Sequence, residues 1–122
     1  MSMQSKTVAI VDDDPSMLRG LVRLLTTCGF EPAAYESAEA FWERNVVINA
    51  VCVVLDIHLP GMSGIELRRR LREADPTLPV IFMTADDSEL VRMAANAAGC
   101  VAYLQKPFPA QMLIDAIEKA AA

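Results

Sequence analysis

Ala50-Val51-Cys52-Val53-Val54-Leu55-Asp56 is the stretch that decides the fold. It is apolar at every position up to a terminal aspartate, with none of the alternation that a half-solvated strand shows. That is the pattern of a parallel strand buried on both faces, which requires helices above and below it. The strand runs into the loop Ile57-His58-Leu59-Pro60-Gly61-Met62-Ser63. Ser63, with Glu66 three residues on, reads as a capping box opening a helix.

Working outward, the same unit recurs on both sides. Thr7–Val11 is an apolar run ending in Asp12, Asp13 and Asp14. Asp14 suits an N-cap, and Pro15 suits the first helical position. Leu18, Leu21, Val22, Leu25 and Cys28 then recur at helical spacing, and Gly29 is a stop signal. A short strand near Glu31–Tyr35 precedes a helix from Ser37, with Phe41 and Trp42 as anchors. Pro79–Thr84 is a fourth strand, followed by Ala85, cap candidates Asp86 and Asp87, and a helix ending near Gly99. Val101–Leu104 leads through Lys106-Pro107 to a last helix, where Leu113, Ala116, Ile117 and Ala120 form one face. Five such units give an α/β doubly wound sheet. Periodicity leaves its strand order open between dinucleotide-binding and flavodoxin-like.

The bulk properties narrow the class. The 122 residues fit one domain, 1–122, and 53% hydrophobic content is ample for a packed interior. A formal net charge of -5 disfavours direct binding to nucleic acid. The basic cluster Arg68-Arg69-Arg70 with Arg72 reads as a solvated helix face with its stems packed on the surface. Cys28, Cys52 and Cys100 lack metal-type spacing and sit among apolar neighbours, so they are expected to be small buried hydrophobes in a reducing compartment. The opening residues contain no apolar targeting core, and no later run is long enough to span a bilayer, so a soluble cytoplasmic protein is expected.

Polar residues fall at the strand ends: Asp12 and Asp13 after the first, Asp56 after the third, Thr84 at the fourth, Lys106 after the fifth. Open parallel sheets gather ligands beyond their carboxyl ends, beside a topological switch point, so these residues are expected to converge. Three carboxylates in one pocket repel one another unless a cation intervenes. An all-oxygen donor set favours a hard ion, and Mg²⁺ commonly takes carboxylates, waters and a phosphate oxygen. Two aspartates would then hold the metal while the third acts as nucleophile toward a phosphoryl donor. Thr84, Lys106 and backbone N–H groups near Ile57 and Ala85 are the candidates to neutralise and position the phosphoryl oxygens.

At this point the sequence resembles the response-regulator receiver family over essentially its full length. The resemblance is carried by Ile10-Val11-Asp12-Asp13-Asp14, Leu55–Gly64, Met83-Thr84-Ala85 and Tyr103-Leu104-Gln105-Lys106-Pro107-Phe108. Tyr35-Glu36-Ser37-Ala38-Glu39-Ala40-Phe41 points further, to the nitrogen-fixation and nodulation-type regulators that join a receiver to a LuxR-type DNA-binding domain. The resemblance implies a flavodoxin-like fold of strand order 2-1-3-4-5 and phosphorylation of Asp56 by a sensor histidine kinase. It implies Mg²⁺, with Mn²⁺ as a substitute, on Asp13, Asp56 and the His58 carbonyl, with Asp12 helping through water. Thr84, Ala85, Lys106 and Ile57 would contact the phosphoryl group, and the Lys106-Pro107 bond would be cis.

Thr84 and Tyr103 are the implied switch pair, and His58 and Asp86 occupy positions that tune phosphoryl lifetime. The implied output is homodimerisation through the fourth helix and fifth strand, or control of a C-terminal DNA-binding domain outside this chain. No catalysis is expected beyond the chain's own phosphoryl transfer and autodephosphorylation. A phosphatase of haloacid-dehalogenase type would want a carboxylate two residues after its nucleophile, where this chain has His58.

Overall fold

The computed structural model describes residues 6–44, 49–86 and 88–122. Its order is β1 (Thr7–Val11), α1 (Pro15–Thr27), β2 (Glu31–Tyr35), α2 (Ala38–Arg44), β3 (Ala50–Asp56), α3 (Gly64–Ala74), β4 (Val80–Thr84), α4 (Glu89–Ala98), β5 (Ala102–Gln105) and α5 (Ala110–Ala121). The strands form one parallel sheet of order β2-β1-β3-β4-β5. The flavodoxin-like order is therefore the one adopted.

Alternation along the strands builds two cores. Val8 and Ile10 of β1, with Cys52 and Val54 of β3, face Leu18, Leu21 and Leu25 of α1 and Leu113 and Ile117 of α5. Ala9, Val11, Val53 and Leu55 face the other way, onto Phe41 of α2, Leu67 and Leu71 of α3, and Ala95 and Ala98 of α4. The central strand is apolar throughout because both of its faces are covered.

Local signals place the helix starts. Asp14 caps α1 by accepting from the Ser16 N–H, and Pro15 takes its first turn. Ser37 accepts from the Ala40 N–H at the head of α2. Ser63 accepts from the Glu66 N–H, but the Glu66 carboxylate turns to Arg69 and Arg70, at 3.7 and 3.4 Å. Only half of the expected capping box is thus formed. Before α4 the cap is Ser88 rather than Asp86, whose carboxylate accepts from the Ser88 N–H; Asp87 lies outside the described residues.

Three further expectations are corrected. Cys28 is exposed, because it is the C-cap of α1, with its N–H on the Leu24 carbonyl; Cys52 is buried and Cys100 half-buried. β4 starts at Val80, one residue late, and β5 runs Ala102–Gln105 rather than Val101–Leu104. Arg68 is no solvated side chain: it is half-buried, and its guanidinium donates to the carbonyls of Gly99 (2.8 Å) and Leu78 (3.4 Å). It ties α3 to the far end of α4 and the entry to β4. Arg69 and Arg70 do lie exposed, Arg70 over the Trp42 ring at 5.8 Å. Among the described residues, no helix is long and apolar enough to cross a membrane.

Candidate acid pocket at the strand ends

β1 delivers Asp12 and Asp13 to the carboxyl edge of the sheet, and the adjacent β3 delivers Asp56. Ligand oxygens of the three lie within 4.8 Å of one another. Asp12 is fully buried and Asp56 nearly so, while Asp13 is exposed at the mouth. Lys106, just past β5, places its ammonium 2.7 Å from Asp12 Oδ2 and 3.1 Å from Asp56 Oδ2. The remaining oxygens accept from backbone: Asp12 Oδ1 from the Asp14 N–H at 2.9 Å, Asp56 Oδ1 from the His58 N–H at 3.1 Å.

The charges do not balance, since three carboxylates face one ammonium. Burial pushes the Asp56 pKa above the usual carboxylate range. Lys106 opposes that shift, the neighbouring charge of Asp12 adds to it, and the His58 N–H again opposes it. Burial alone would lower the Lys106 pKa, but its bonds to Asp12 and Asp56 outweigh this and raise it. A pocket with surplus negative charge and only oxygen donors has the chemistry of a divalent-cation site.

Thr84, at the end of β4, is fully buried. Its hydroxyl donates to the Asp86 carbonyl at 3.1 Å and accepts from the Asp86 N–H at 3.0 Å, so it is engaged with its own loop. Tyr103 on β5 is half-buried, with its hydroxyl 3.5 Å from the same Asp86 carbonyl and Arg92 5.0 Å above its ring. His58 and Asp86 face each other across the mouth, Nε2 to Oδ2 at 3.6 Å, each about half exposed. The Ile57 N–H donates to the Met83 carbonyl at 3.0 Å, and the His58 N–H is the one presented to Asp56. Ala85 is exposed beside Thr84, and the Lys106-Pro107 peptide is cis.

Sequence reading missed two contacts near this pocket, Glu39 on the Met62 N–H and Arg92 over Tyr103, and one at the opposite edge of the sheet, Arg68 on Gly99. Each joins residues distant in sequence through an ordinary surface side chain, so no local pattern announces it.

A 2-1-3-4-5 parallel sheet with acids after β1 and β3, a hydroxyl after β4 and a lysine after β5 defines a signalling domain of receiver type. The chain belongs to the response regulator receiver domain family, whose profile matches residues 8–118. It is 36% identical to the transcriptional regulatory protein FixJ of Rhizobium meliloti, over 97% of this chain and 58% of that protein. It is equally 36% identical to nodulation protein W of Bradyrhizobium diazoefficiens, over 90% of this chain and 48% of that protein. The crystal structure of FixJ-N superposes with a TM-score of 0.87 at 38% identity, covering 98% of this chain and 95% of that one. The chain thus spans about half the length of these curated relatives.

Proposed function

We propose that the chain is the phosphorylation-activated switch of a two-component pathway, accepting a phosphoryl group on Asp56 from a histidine kinase. The observation that carries the reading is the pairing of buried Asp56 and Asp12 with Lys106 at 3.1 and 2.7 Å, beside the exposed carboxylate of Asp13. An Asp56 carboxylate oxygen forms the new bond to phosphorus as the bond from phosphorus to the donor's imidazole nitrogen breaks, giving an aspartyl-phosphate. The His58 N–H fixes the carboxylate through Oδ1. Lys106 neutralises charge that develops on the phosphoryl oxygens.

The donor set fits Mg²⁺, or Mn²⁺ in its place, with Asp13, Asp56 and the His58 carbonyl as ligands and Asp12 acting through water. When bound, the ion screens the carboxylates and polarises the phosphoryl group.

The switch follows from the bonds already made. For Thr84 to reach a phosphoryl oxygen, its hydroxyl must leave the Asp86 carbonyl. Tyr103 touches that same carbonyl, so movement of the loop reaches β5 and the face of α4. That face would then dimerise or act on an output domain, such as the DNA-binding domain of a longer regulator. The chain turns over no separate substrate beyond its own transfer and autodephosphorylation, and its place is the cytoplasm.

His58 and Asp86 flank the path by which water reaches phosphorus, so both tune the lifetime. An unchanged phosphoryl decay rate in His58→Ala would dispose of that role. The central test is intact-mass spectrometry after incubation with acetyl phosphate, with and without Mg²⁺. A single Mg²⁺-dependent phosphoryl adduct, absent in Asp56→Asn, is expected. No adduct under either condition would overturn the assignment.

A further inference from the structure

The loop between Asp56 and α3 carries the carbonyl that the proposed function assigns to the metal, and its inner side is fixed by the sheet. The Ile57 N–H bonds to the Met83 carbonyl, the Gly64 N–H to the Ile57 carbonyl at 3.0 Å, and the His58 N–H to Asp56 Oδ1. Its outer side lies beyond these bonds and is held from a different element. The Glu39 carboxylate, on the exposed face of α2, accepts the Met62 N–H at 2.8 Å. The same carboxylate lies against Gly61, whose φ of 76° and bare Cα leave room for it; a Cβ there would overlap Glu39 Oε2. The Met62 N–H holds the Glu39 carboxyl below its usual range, with Arg70 acting in the same direction, so the acceptor is charged at neutral pH. Arg70 in turn bonds Glu66 on α3 and stacks over Trp42 on α2.

We propose that Glu39 is a positioning residue for the acid pocket: by holding Gly61 and Met62 it keeps the His58 segment in the shape that receives the divalent cation. It touches neither the metal nor the phosphoryl group and acts only through the loop. The inference rests on the proposed metal and phosphoryl site, and it makes α2 part of that site's support. Without this tie the loop would have to be ordered when the metal binds, so affinity falls while the pocket itself stays intact.

The test uses Glu39→Ala and Glu39→Gln beside the wild-type chain, all confirmed as folded by their melting curves. Three readouts are taken: Mg²⁺ affinity of the unphosphorylated protein by calorimetry, exchange of the Met62 amide, and adduct formation with acetyl phosphate at limiting and saturating Mg²⁺. For Glu39→Ala, Met62 exchange should quicken and Mg²⁺ affinity weaken roughly three- to tenfold, the worth of one ordinary solvent-exposed hydrogen bond. Its adduct formation should slow at limiting Mg²⁺ and recover at saturation. Glu39→Gln, which keeps an acceptor oxygen, should retain most of the affinity. Wild-type Mg²⁺ affinity or unchanged Met62 exchange in Glu39→Ala overturns the proposal, as does a wild-type chain that binds no Mg²⁺. A wild-type chain that binds Mg²⁺ but forms no adduct defeats the assignment of Asp56 alone, and Glu39 is then judged by the first two readouts.

Discussion

Asp56 sits where the fold disfavours its own charge. Its pKa is raised by burial more than Lys106 can lower it, so the protein holds this carboxylate at some cost to stability. Asp56→Asn keeps the shape and removes one of three crowded charges. In metal-free buffer it should melt a few degrees higher, a gain on the order of 1 kcal/mol, while losing the phosphoryl adduct. A lower melting temperature by calorimetry would show that the Lys106 bond outweighs the crowding. Lys106 itself titrates with a raised pKa, so its contribution is complete below the ordinary lysine value and is lost as pH rises through the higher folded one. Urea midpoints measured from about pH 9 to about pH 11.5 should therefore fall, and fall less in Lys106→Met. Equal slopes in the two proteins would mean that other groups govern the alkaline limb.

At the scale of elements, the join between β3 and α3 is the least forgiving. A Cβ at Gly64 would overlap the Asp56 carbonyl oxygen and come within 2.9 Å of the Ile57 Cα, and this backbone cannot yield as a side chain would. Gly64→Ala should cost about 3 kcal/mol in urea unfolding, whereas Gly20→Ala, at an open position inside α1, should stabilise by about 0.5–1 kcal/mol. Arg68→Ala should cost about 1–3 kcal/mol, since it strands the Gly99 and Leu78 carbonyls that now receive its guanidinium. These elements were legible to different degrees. β3 could be read directly, because burial on both faces leaves no polar position to confuse it. The start of β4 slipped by a residue because proline lacks an N–H: Pro79 accepts from Val53 through its carbonyl yet lies outside the strand. Cys28 has apolar neighbours in sequence but ends a helix in space, so composition misplaced it. The convergence of Asp12, Asp13, Asp56 and Lys106 from three strand ends was legible because topology alone brings them together. Glu39 and Arg92 were not, because a surface carboxylate or guanidinium shows its partner only once the fold exists.

For the molecule as a whole, the question is what the switch acts on. The two cores are closed, yet α4 leaves Leu90 80% and Met93 59% exposed, one turn apart on its outer surface. Monomeric proteins tolerate single exposed apolar residues, but neighbouring ones on a surface coupled to the site mark a place for a partner. In the proposed switch, Thr84 and Tyr103 exchange their contacts at Asp86, immediately before the Ser88 cap of α4. Movement there tilts or slides the helix that carries Leu90 and Met93, and a second copy of the same face is the simplest complement, closed by two-fold symmetry. Light scattering with a beryllofluoride or acetyl phosphate treatment should thus move the chain from 13.3 kDa toward about twice that mass. Leu90→Lys should keep the phosphoryl adduct and stay at the monomer mass, because a charge at the centre of a symmetric contact meets its own copy. Wild-type protein that carries the adduct yet keeps its mass would place the output elsewhere, on a further domain rather than on a second receiver.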